Sequence, residues 1–451
     1  MIGALLLFLS LIWINNPQKK YLSIFFYLSF MLGYNGGFGL WNDDITGIKT
    51  GDCAVIYTII GNLNLLAKSQ WKLPKFKFIP YYILFLLFFL CDIVFSIVHY
   101  ELSVFQVIQG SRSYFLFLSL PILVSCEINV LTKVFRLLFY VCFATSVLYI
   151  LQILVFRTPL MPYSYAWEYD STTGLPRLYN VPENLILFLT LTFTYPEYLK
   201  GKINVNACLF IFITALLCTL GRSGVFANLA ILFLTLLFTG KVKKIAKTML
   251  LLIIMALPLS DLMLNRFNEG KTSEDMQVVM SGDFTDGYSD GQTFAYRMAW
   301  CYERIVYLID RPIGEQFFGL GLCSESQPWV RKHYDFAVAI PNENTGERTQ
   351  LGTGDIAYGN MITRLGFLGT AIYILFVISL TSFFWKVRKQ NIMYAFFCSN
   401  LICLFAASFT GSMLSEPKTF VMMFMFLSLE KSDVPLERLL LEGKTNKVVV
   451  K

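Results

Sequence analysis

Long runs of apolar residues, separated by short polar segments, occupy most of the chain. One of them, Tyr81–Tyr100 (YYILFLLFFLCDIVFSIVHY), has the length of about 20 residues that a helix needs to cross a bilayer. The apolar positions in these runs are consecutive and do not alternate with polar ones, which indicates helices that satisfy their own backbones in lipid. The pattern therefore predicts an all-α polytopic integral membrane protein.

About thirteen transmembrane helices are predicted, within a range of about 12 to 14 because the shortest runs are marginal. They occupy residues 1–15, 21–37, 51–67, 78–98, 105–125, 133–156, 180–199, 204–220, 223–239, 246–264, 356–384, 391–411 and 417–430. The chain thus divides into a bundle of about ten helices at 1–264, a large loop with helices at 265–355, C-terminal transmembrane helices at 356–430 and a tail at 431–451.

Basic residues in the short connections orient these spans. The connections on one side contain Lys19, Lys20, Lys68, Lys72, Lys75, Lys77, Lys133, Lys200, Lys202, Lys241, Lys243, Lys244, Lys247, Lys386 and Lys389. Because cytoplasmic loops carry an excess of Lys and Arg, this side is predicted to be cytoplasmic, together with the tail at 431–451. The N-terminus and the large loop at 265–355 are then predicted to face outward.

Arginines are distributed in the opposite way, since all but Arg136, Arg388 and Arg438 fall on the predicted outer side. Arginine offers a planar fork that binds phosphate or carboxylate with two hydrogen bonds, so these residues indicate a surface for an anion. In the large loop, arginines recur every seven residues along a helical pattern and share one face (Arg297, Arg304, Arg311). The alternative is a solvated face that is paired with Glu303 and Asp310.

Composition and motifs limit the kinds of site and partner that the chain can have. Hydrophobic residues make up 56% of the chain and charged residues 15%, and with only two histidines we expect no histidine-based metal site. Neither a P-loop nor a Rossmann fingerprint is present, and we expect no nucleic-acid partner. Cys301 and Cys323 both fall in the outer loop, where a disulfide is one alternative. Aromatic residues of the loop either stack on sugar rings or form its own core (Trp300, Trp329, Tyr334, Phe336).

Three stretches together resemble the O-antigen polymerase and ligase superfamily, the Wzy and WaaL type of bacterial membrane glycosyltransferase. The first is TLGRSG (Thr219–Gly224), in which a span ends at an arginine turn and another span begins. The second is YRMAWCYERIVYLIDRPIGEQFFGLGL (Tyr296–Leu322), and the third is GDIAYGNMITRLGFLG (Gly354–Gly369). The resemblance rests on the order and spacing of these stretches around one outer loop. It covers about residues 180–385.

The resemblance implies a fold like that of the C-type glycosyltransferases, in the bacterial inner membrane, with the active site facing the periplasm. It implies a polymerase of lipid-linked repeat units of O-antigen, capsule or exopolysaccharide. The expected donor is an undecaprenyl-pyrophosphate-linked oligosaccharide, without a cofactor or metal. Besides membrane lipid, a chain-length regulator and a flippase are expected partners. The family's catalytic positions correspond to Asp355, as base, and to Arg222 and Arg297.

Several alternatives stay open at this point. Ligases of the family usually carry histidine where this chain has Asp355, which argues against a ligase that transfers finished glycan to lipid A-core. Asp355 is also a good helix cap. A non-catalytic transporter of lipid-linked oligosaccharide is the alternative from another class. Further residues are expected to bind substrate: Arg266, Arg304, Arg311, Tyr358 and Arg364.

Overall fold

The computed structural model describes residues 2–32, 49–160, 166–169, 174–178, 181–194, 204–219, 222–240, 293–325, 327–338, 350–352, 356–409 and 411–428. These residues form a bundle of apolar helices. The helices before the large loop are α1 (Ile2–Trp13), α2 (Lys20–Leu32), α3 (Thr50–Ala67), α4 (Ile79–His99), α5 (Val104–Ser111), α6 (Ser119–Val124), α7 (Ile128–Ile150), α8 (Leu185–Thr194), α9 (Val205–Leu217) and α10 (Arg222–Phe238).

The remaining helices belong to the large loop and the C-terminal part. They are α11 (Thr293–Ile309), α12 (Ile313–Phe318), α13 (Pro328–His333), α14 (Ala357–Val387), α15 (Ile392–Ala407) and α16 (Lys418–Leu427). Short 3₁₀ turns lie at Tyr114–Leu118 and Met413–Ser415, and a π-helical turn, Leu151–Phe156, extends α7. We use "outer end" for the end of the bundle at which α11, α12 and α13 lie.

Every predicted span within the described residues contains a helix, whereas the predicted span at 246–264 lies outside them. Among the described residues, three helices are long and apolar enough to cross a membrane: α4, α7 with its π-helical extension, and α14. The other apolar helices of the bundle are shorter. The chain is therefore a mostly helical membrane protein, and the count of thirteen spans stays a prediction.

Two of the predicted spans are not straight. The run at 105–125 folds as α5, the turn Tyr114–Leu118 and α6, which are bent by 68° at the break after Ser111. At this break Arg112 forms an ion pair with Asp52 of α3, with 2.7 Å between Nη1 and Oδ1. Helix α14 has a second break at Gly366, whose φ of 64° and ψ of −171° are not helical. Both breaks interrupt helices that the hydrophobic pattern predicts to be continuous.

Aromatic side chains fill the centre of the bundle. Phe117 contacts four rings from three other elements, at centroid distances of 5.2 to 5.9 Å. All these residues are buried, and we call them the aromatic cluster (Phe85, Phe117, Tyr373, Phe376, Phe420). Most of the rings meet edge to face, which is the arrangement that the quadrupoles of aromatic rings favour. The cluster fixes α4 and α16 against the inner part of α14.

A small antiparallel pair of strands departs from the predicted all-α class. Strand β1 (Ala166–Tyr169) pairs with β2 (Pro176–Leu178) after the π-helical turn. The hydroxyl of Tyr149 donates a hydrogen bond of 3.4 Å to the carbonyl of Leu178, which ties the hairpin to α7. The hairpin is short, and the sequence around it lacks the regular alternation that identifies a strand.

Candidate functional site at the outer end

The turn after α12 packs its backbone directly against the break in α14. Gly319 and Gly366 both have positive φ angles, of 80° and 64°. The N–H of Leu320 donates a hydrogen bond of 2.7 Å to the carbonyl of Thr363. A Cβ on Gly366 would lie 2.4 Å from the carbonyl oxygen of Phe317, and one on Gly319 would lie 2.7 Å from the amide nitrogen of Gly366. Only glycine fits at these two positions.

The other side of the same turn contacts α4 and α5. The N–H of Leu322 donates a hydrogen bond of 3.0 Å to Oγ of Ser96. A Cβ on Gly110 would lie 2.5 Å from the backbone of Cys323, so α5 and the turn also meet backbone to backbone. Gly110, Gly319 and Gly366 thus join three separate segments, and we call them the glycine junction. Cys323 has a free thiol, as does Cys301, so the alternative of a disulfide between them is wrong.

Two tyrosines cap the carbonyl groups of this turn. The hydroxyl of Tyr100 donates to the carbonyl of Gly319 at 2.7 Å, and that of Tyr334 donates to the carbonyl of Leu320 at 2.6 Å. Burial raises the pKa of both phenols well above the usual value, so both stay protonated donors. Hydrogen bonds thus hold the carbonyls of Gly319 and Leu320 and the N–H groups of Leu320 and Leu322, which fixes the conformation of the turn.

Arg364 lies at the glycine junction, on the first segment of α14. Its Nη1 donates a hydrogen bond of 3.0 Å to the carbonyl of Gly110. Its Nη2 lies on the side of Gly352, 3.3 Å from where a Cβ on that glycine would be. Gly352 is three residues before Asp355 in the sequence. The half-buried guanidinium of Arg364 is thus anchored by one nitrogen and directed by the other toward the segment that leads to the predicted base.

Glu325 organises the same segment. Its carboxylate accepts hydrogen bonds from three successive N–H groups, those of Gln350, Leu351 and Gly352, at 2.5, 2.8 and 3.1 Å. Successive N–H groups that converge in this way form a site for an anion, which the carboxylate occupies here. Glu325 is a positioning residue in this arrangement, because its oxygens hold the segment before Asp355.

Arg304, one of the residues expected to bind substrate, is 1% exposed. It donates to the carbonyls of Val338 and Gln350 at 2.7 and 3.2 Å, and it pairs with Glu303 at 2.7 Å. Its guanidinium also lies over the rings of Trp300 and Phe336. Burial lowers its pKa to about 10, against the opposing effect of Glu303. The alternative interpretation of the arginine face predicts a solvated pairing with Glu303. The pairing is present, but the arginine in it is buried.

Arg311 is exposed and pairs with the carboxylate of Glu315, with 2.8 Å between Nε and Oε2. The other oxygen of Glu315 lies 3.0 Å from Nε2 of His99, at the outer end of α4. Burial of Glu315 alone would raise its pKa, but the hydrogen bonds from Arg311 and His99 outweigh this effect and lower it. The pair fixes α12 on α4. An anion that binds Arg311 has to compete with Glu315 for the guanidinium.

Tyr358 joins two helices at the outer end. Its hydroxyl donates a hydrogen bond of 3.0 Å to the carbonyl of Phe405, and its ring contacts Phe409 at 4.8 Å. The N–H of Ala357 nearby donates to the carbonyl of Ser408 at 3.1 Å. These contacts hold the beginning of α14 against the end of α15, which in turn packs along α10.

The predicted catalytic residues are described to different extents. Arg297 is a half-buried residue of α11. Arg222 is the first residue of α10, and its side chain lies outside the described residues, as do Asp355 and Arg266. Three of the loop's aromatic residues, Trp300, Tyr334 and Phe336, are buried and form the core of the loop. The prediction that they stack on sugars fails at these positions because no face of their rings is open.

Sequence analysis missed a second polar cluster at the outer ends of α8 and α16. Glu416 accepts from Ser412 and pairs with Lys418, both at 2.8 Å. Glu183, two residues before α8, interacts electrostatically with both charged groups, and desolvation raises its pKa to about 7. A carboxyl group with such a pKa can exchange a proton at neutral pH. The signal in the sequence is an acidic residue at the beginning of each of two predicted spans.

Asp92 is the other acidic residue with an unusual environment. It is fully buried on α4, and neither carboxylate oxygen has a hydrogen-bond partner within the described part of the chain. His99, seven residues on, pairs with Glu315 instead. Asp92 lies on the inner side of the glycine junction, since Ser96, one turn further, holds the junction's turn.

No protein-family model matches the chain, and no curated protein matches it in sequence.

Proposed function

We propose that the protein is a membrane glycosyltransferase that polymerises lipid-linked oligosaccharide repeat units. One observation carries the proposal: Arg364 and the segment that leads to Asp355 meet at the outer end, joined by the turn at Gly319 and next to the arginine-bearing helix α11. The second and third stretches of the family resemblance therefore meet in space. Side chains that bind anions and a carboxylate that can act as base are the groups that such a transfer needs.

In the proposed reaction, a sugar hydroxyl of one lipid-linked unit attacks the anomeric carbon of the glycan on another. Asp355 takes the hydroxyl proton as the new carbon–oxygen bond forms. The bond between the anomeric carbon and the pyrophosphate oxygen breaks, and its electron pair leaves with the pyrophosphate. Arg222, Arg297 and Arg364 stabilise the charge that develops on this leaving group, at about 1.5–3 kcal/mol for each charge-assisted hydrogen bond.

A transporter of lipid-linked oligosaccharide is the second candidate. The break of 68° between α5 and α6 favours it, because discontinuous helices commonly form the binding sites of transporters. The two candidates differ in one simple property. An enzyme extends its substrate in detergent micelles, where no membrane separates two compartments, and a transporter leaves the substrate unchanged there.

The test uses the purified full-length protein in detergent with lipid-linked repeat units, and it separates the products by length. We expect elongation that persists in EDTA. Asp355→Asn keeps the ability to cap a helix but cannot take the proton, so we expect its rate to fall by about 10²–10⁴-fold while expression stays normal. If the Asp355→Asn variant elongates at the normal rate, Asp355 is not the base and serves only as a helix cap. If the unmodified protein leaves the substrate unchanged, the transporter is the remaining candidate.

A further inference from the structure

Helix α11 differs from a helix on the surface of a soluble domain, because its outward face is apolar and its inward face buries an arginine. Its inner face carries Arg304, which is 1% exposed, together with the buried Trp300 and Leu308. Its outer face carries large apolar residues, among which Ile309 is 55% exposed. A helix that covers a soluble core turns its apolar stripe inward and its charges outward. The outer face of α11 departs from that arrangement, because it exposes Tyr302, Val306 and Ile309.

Helix α12 continues the same face. Ile313 is 68% exposed, and Phe317, one turn further, is exposed as well. The opposite side of α12 packs on α4, because a Cβ on Gly314 would lie 3.2 Å from Phe95, and the ring of Phe318 stacks on that of Phe95 at 4.8 Å. The exposed residues of the two helices form what we call the outer apolar stripe (Tyr302, Val306, Ile309, Ile313, Phe317).

The contacts of α12 with α4 give the depth of the stripe. Phe95 and His99 belong to the last turn of α4, a helix of 21 residues that is long and apolar enough to cross a membrane. The same part of α4 exposes Val94 and Val98. Since the rise of a helix is about 1.5 Å per residue, Phe95 lies about 6 Å inside the end of α4. The stripe thus continues the exposed apolar face of a spanning helix at the same level.

Polar residues border the stripe in the way expected at a headgroup boundary. Asp310 and Arg311 are exposed between the two helices, and Gln316 is half-buried and bonds to backbone carbonyls. Arginine can extend its charged group to the headgroups while its stem stays on apolar surface. An amphipathic helix that lies in the interface buries its apolar face about 5–10 Å into the boundary between headgroups and acyl chains, a depth that matches the level of Phe95.

We infer that α11 and α12 lie in the membrane interface at the outer end of the bundle, with the outer apolar stripe inserted among the lipid acyl chains. The occupant of this surface is the bilayer itself. A patch of five large apolar residues at the level of a spanning helix is otherwise left against water, which is unfavourable in proportion to its area. The inference does not depend on the proposed enzymatic activity.

The experiment places a bimane fluorophore on single cysteines of the full-length protein in nanodiscs, after Cys91, Cys301 and Cys403 have been replaced by serine. Ile313→Cys reports on the stripe, Val98→Cys on the exposed face of α4, and Lys332→Cys on the polar surface of α13. The quenchers are lipids brominated on their acyl chains and, in separate samples, iodide in the buffer. Intact discs that hold one copy of the protein are isolated by size before the measurement.

Brominated lipid is expected to quench the Ile313→Cys label as strongly as the Val98→Cys label and to leave the Lys332→Cys label unchanged. Iodide is expected to quench only the Lys332→Cys label. Quenching of the Ile313→Cys label by iodide and not by lipid would overturn the inference, because the stripe would then face water. Protection from both quenchers would overturn it too, since a protein surface would cover the stripe.

Discussion

The aromatic cluster and the glycine junction both hold α14, and they do so by different means. In the aromatic cluster, side chains from several elements fill the space between helices, and the backbones stay apart. At the glycine junction the backbones themselves touch, and the contacts depend on the absence of a side chain. Gly366 marks the boundary between the two regions. The cluster stabilises the fold through the apolar area that it buries, and the junction fixes the positions of polar groups through direct backbone contacts.

This comparison predicts that Gly366→Ala has the largest effect on stability and activity. The new Cβ would meet the carbonyl of Phe317 at 2.4 Å, and the φ of 64° with ψ near 180° belongs to a region that only glycine adopts readily. Strain and overpacking together are expected to cost about 2–6 kcal/mol of stability and to abolish elongation. Thermal unfolding in detergent measures the loss. Gly51→Ala is the control, because no atom of the described residues lies within 4 Å of its Cβ.

Phe117→Ala tests the aromatic cluster. The substitution removes a buried ring with four aromatic neighbours, and such changes cost about 3–5 kcal/mol in a packed core. We expect lower thermal stability but a normal elongation rate per folded molecule, because the four ring contacts of Phe117 all lie within the aromatic cluster. Phe105→Ala on the exposed face of α5 should change neither quantity. A loss of activity without a loss of stability would contradict the division into two regions.

A matched pair of hydroxyl deletions sharpens the comparison. Tyr334 donates to the carbonyl of Leu320 in the junction, and Tyr82 donates to the carbonyl of Phe117 in the cluster. Changing either tyrosine to phenylalanine leaves a buried carbonyl without its donor, at about 1–3 kcal/mol. Unfolding should therefore be affected similarly in the two variants. Only Tyr334→Phe is expected to slow elongation, because only its partner belongs to the turn that holds Arg364.

The smallest predicted effect concerns pH. The pKa of Glu183 is raised to about 7 in the folded protein, against an ordinary value of 4.5 for a glutamate side chain. Between these two values the folded state binds more protons than the unfolded state, so this group lowers stability as the pH rises through that window. Glu183→Gln should flatten the dependence of the unfolding temperature on pH. Glu127→Gln, at an exposed carboxylate, should leave the dependence as it is.

Hydropathy was enough to predict the helical membrane class and a helix within each predicted span of the described residues. It did not predict the break after Ser111 or the one at Gly366, because each lies inside a run that was predicted as a single helix, although Arg112 and Arg364 stand close to these breaks. Sequence spacing predicts that Arg297, Arg304 and Arg311 share one helix face, but α11 ends at Ile309, so that Arg311 lies beyond it and is exposed whereas Arg304 is buried. It could not tell which face is covered, since the carbonyl groups that bind Arg304 come from Val338 and Gln350, far along the chain. Glu183 and Glu416 meet only through the packing of distant helices.

The glycine junction also has a consequence for how the protein is made. The turn that contacts Ser96 follows it by 226 residues, and the partner of Gly110 at Arg364 follows by 254. At about 5–20 residues per second, a ribosome takes on the order of 10–50 s to deliver those partners. During this interval α4 and α5 reside in the bilayer with Ser96, Gly110 and the buried Asp92 uncovered. Until the turn at Gly319 and Arg364 arrive, α4 and α5 therefore lack the partners that hold them in the finished protein.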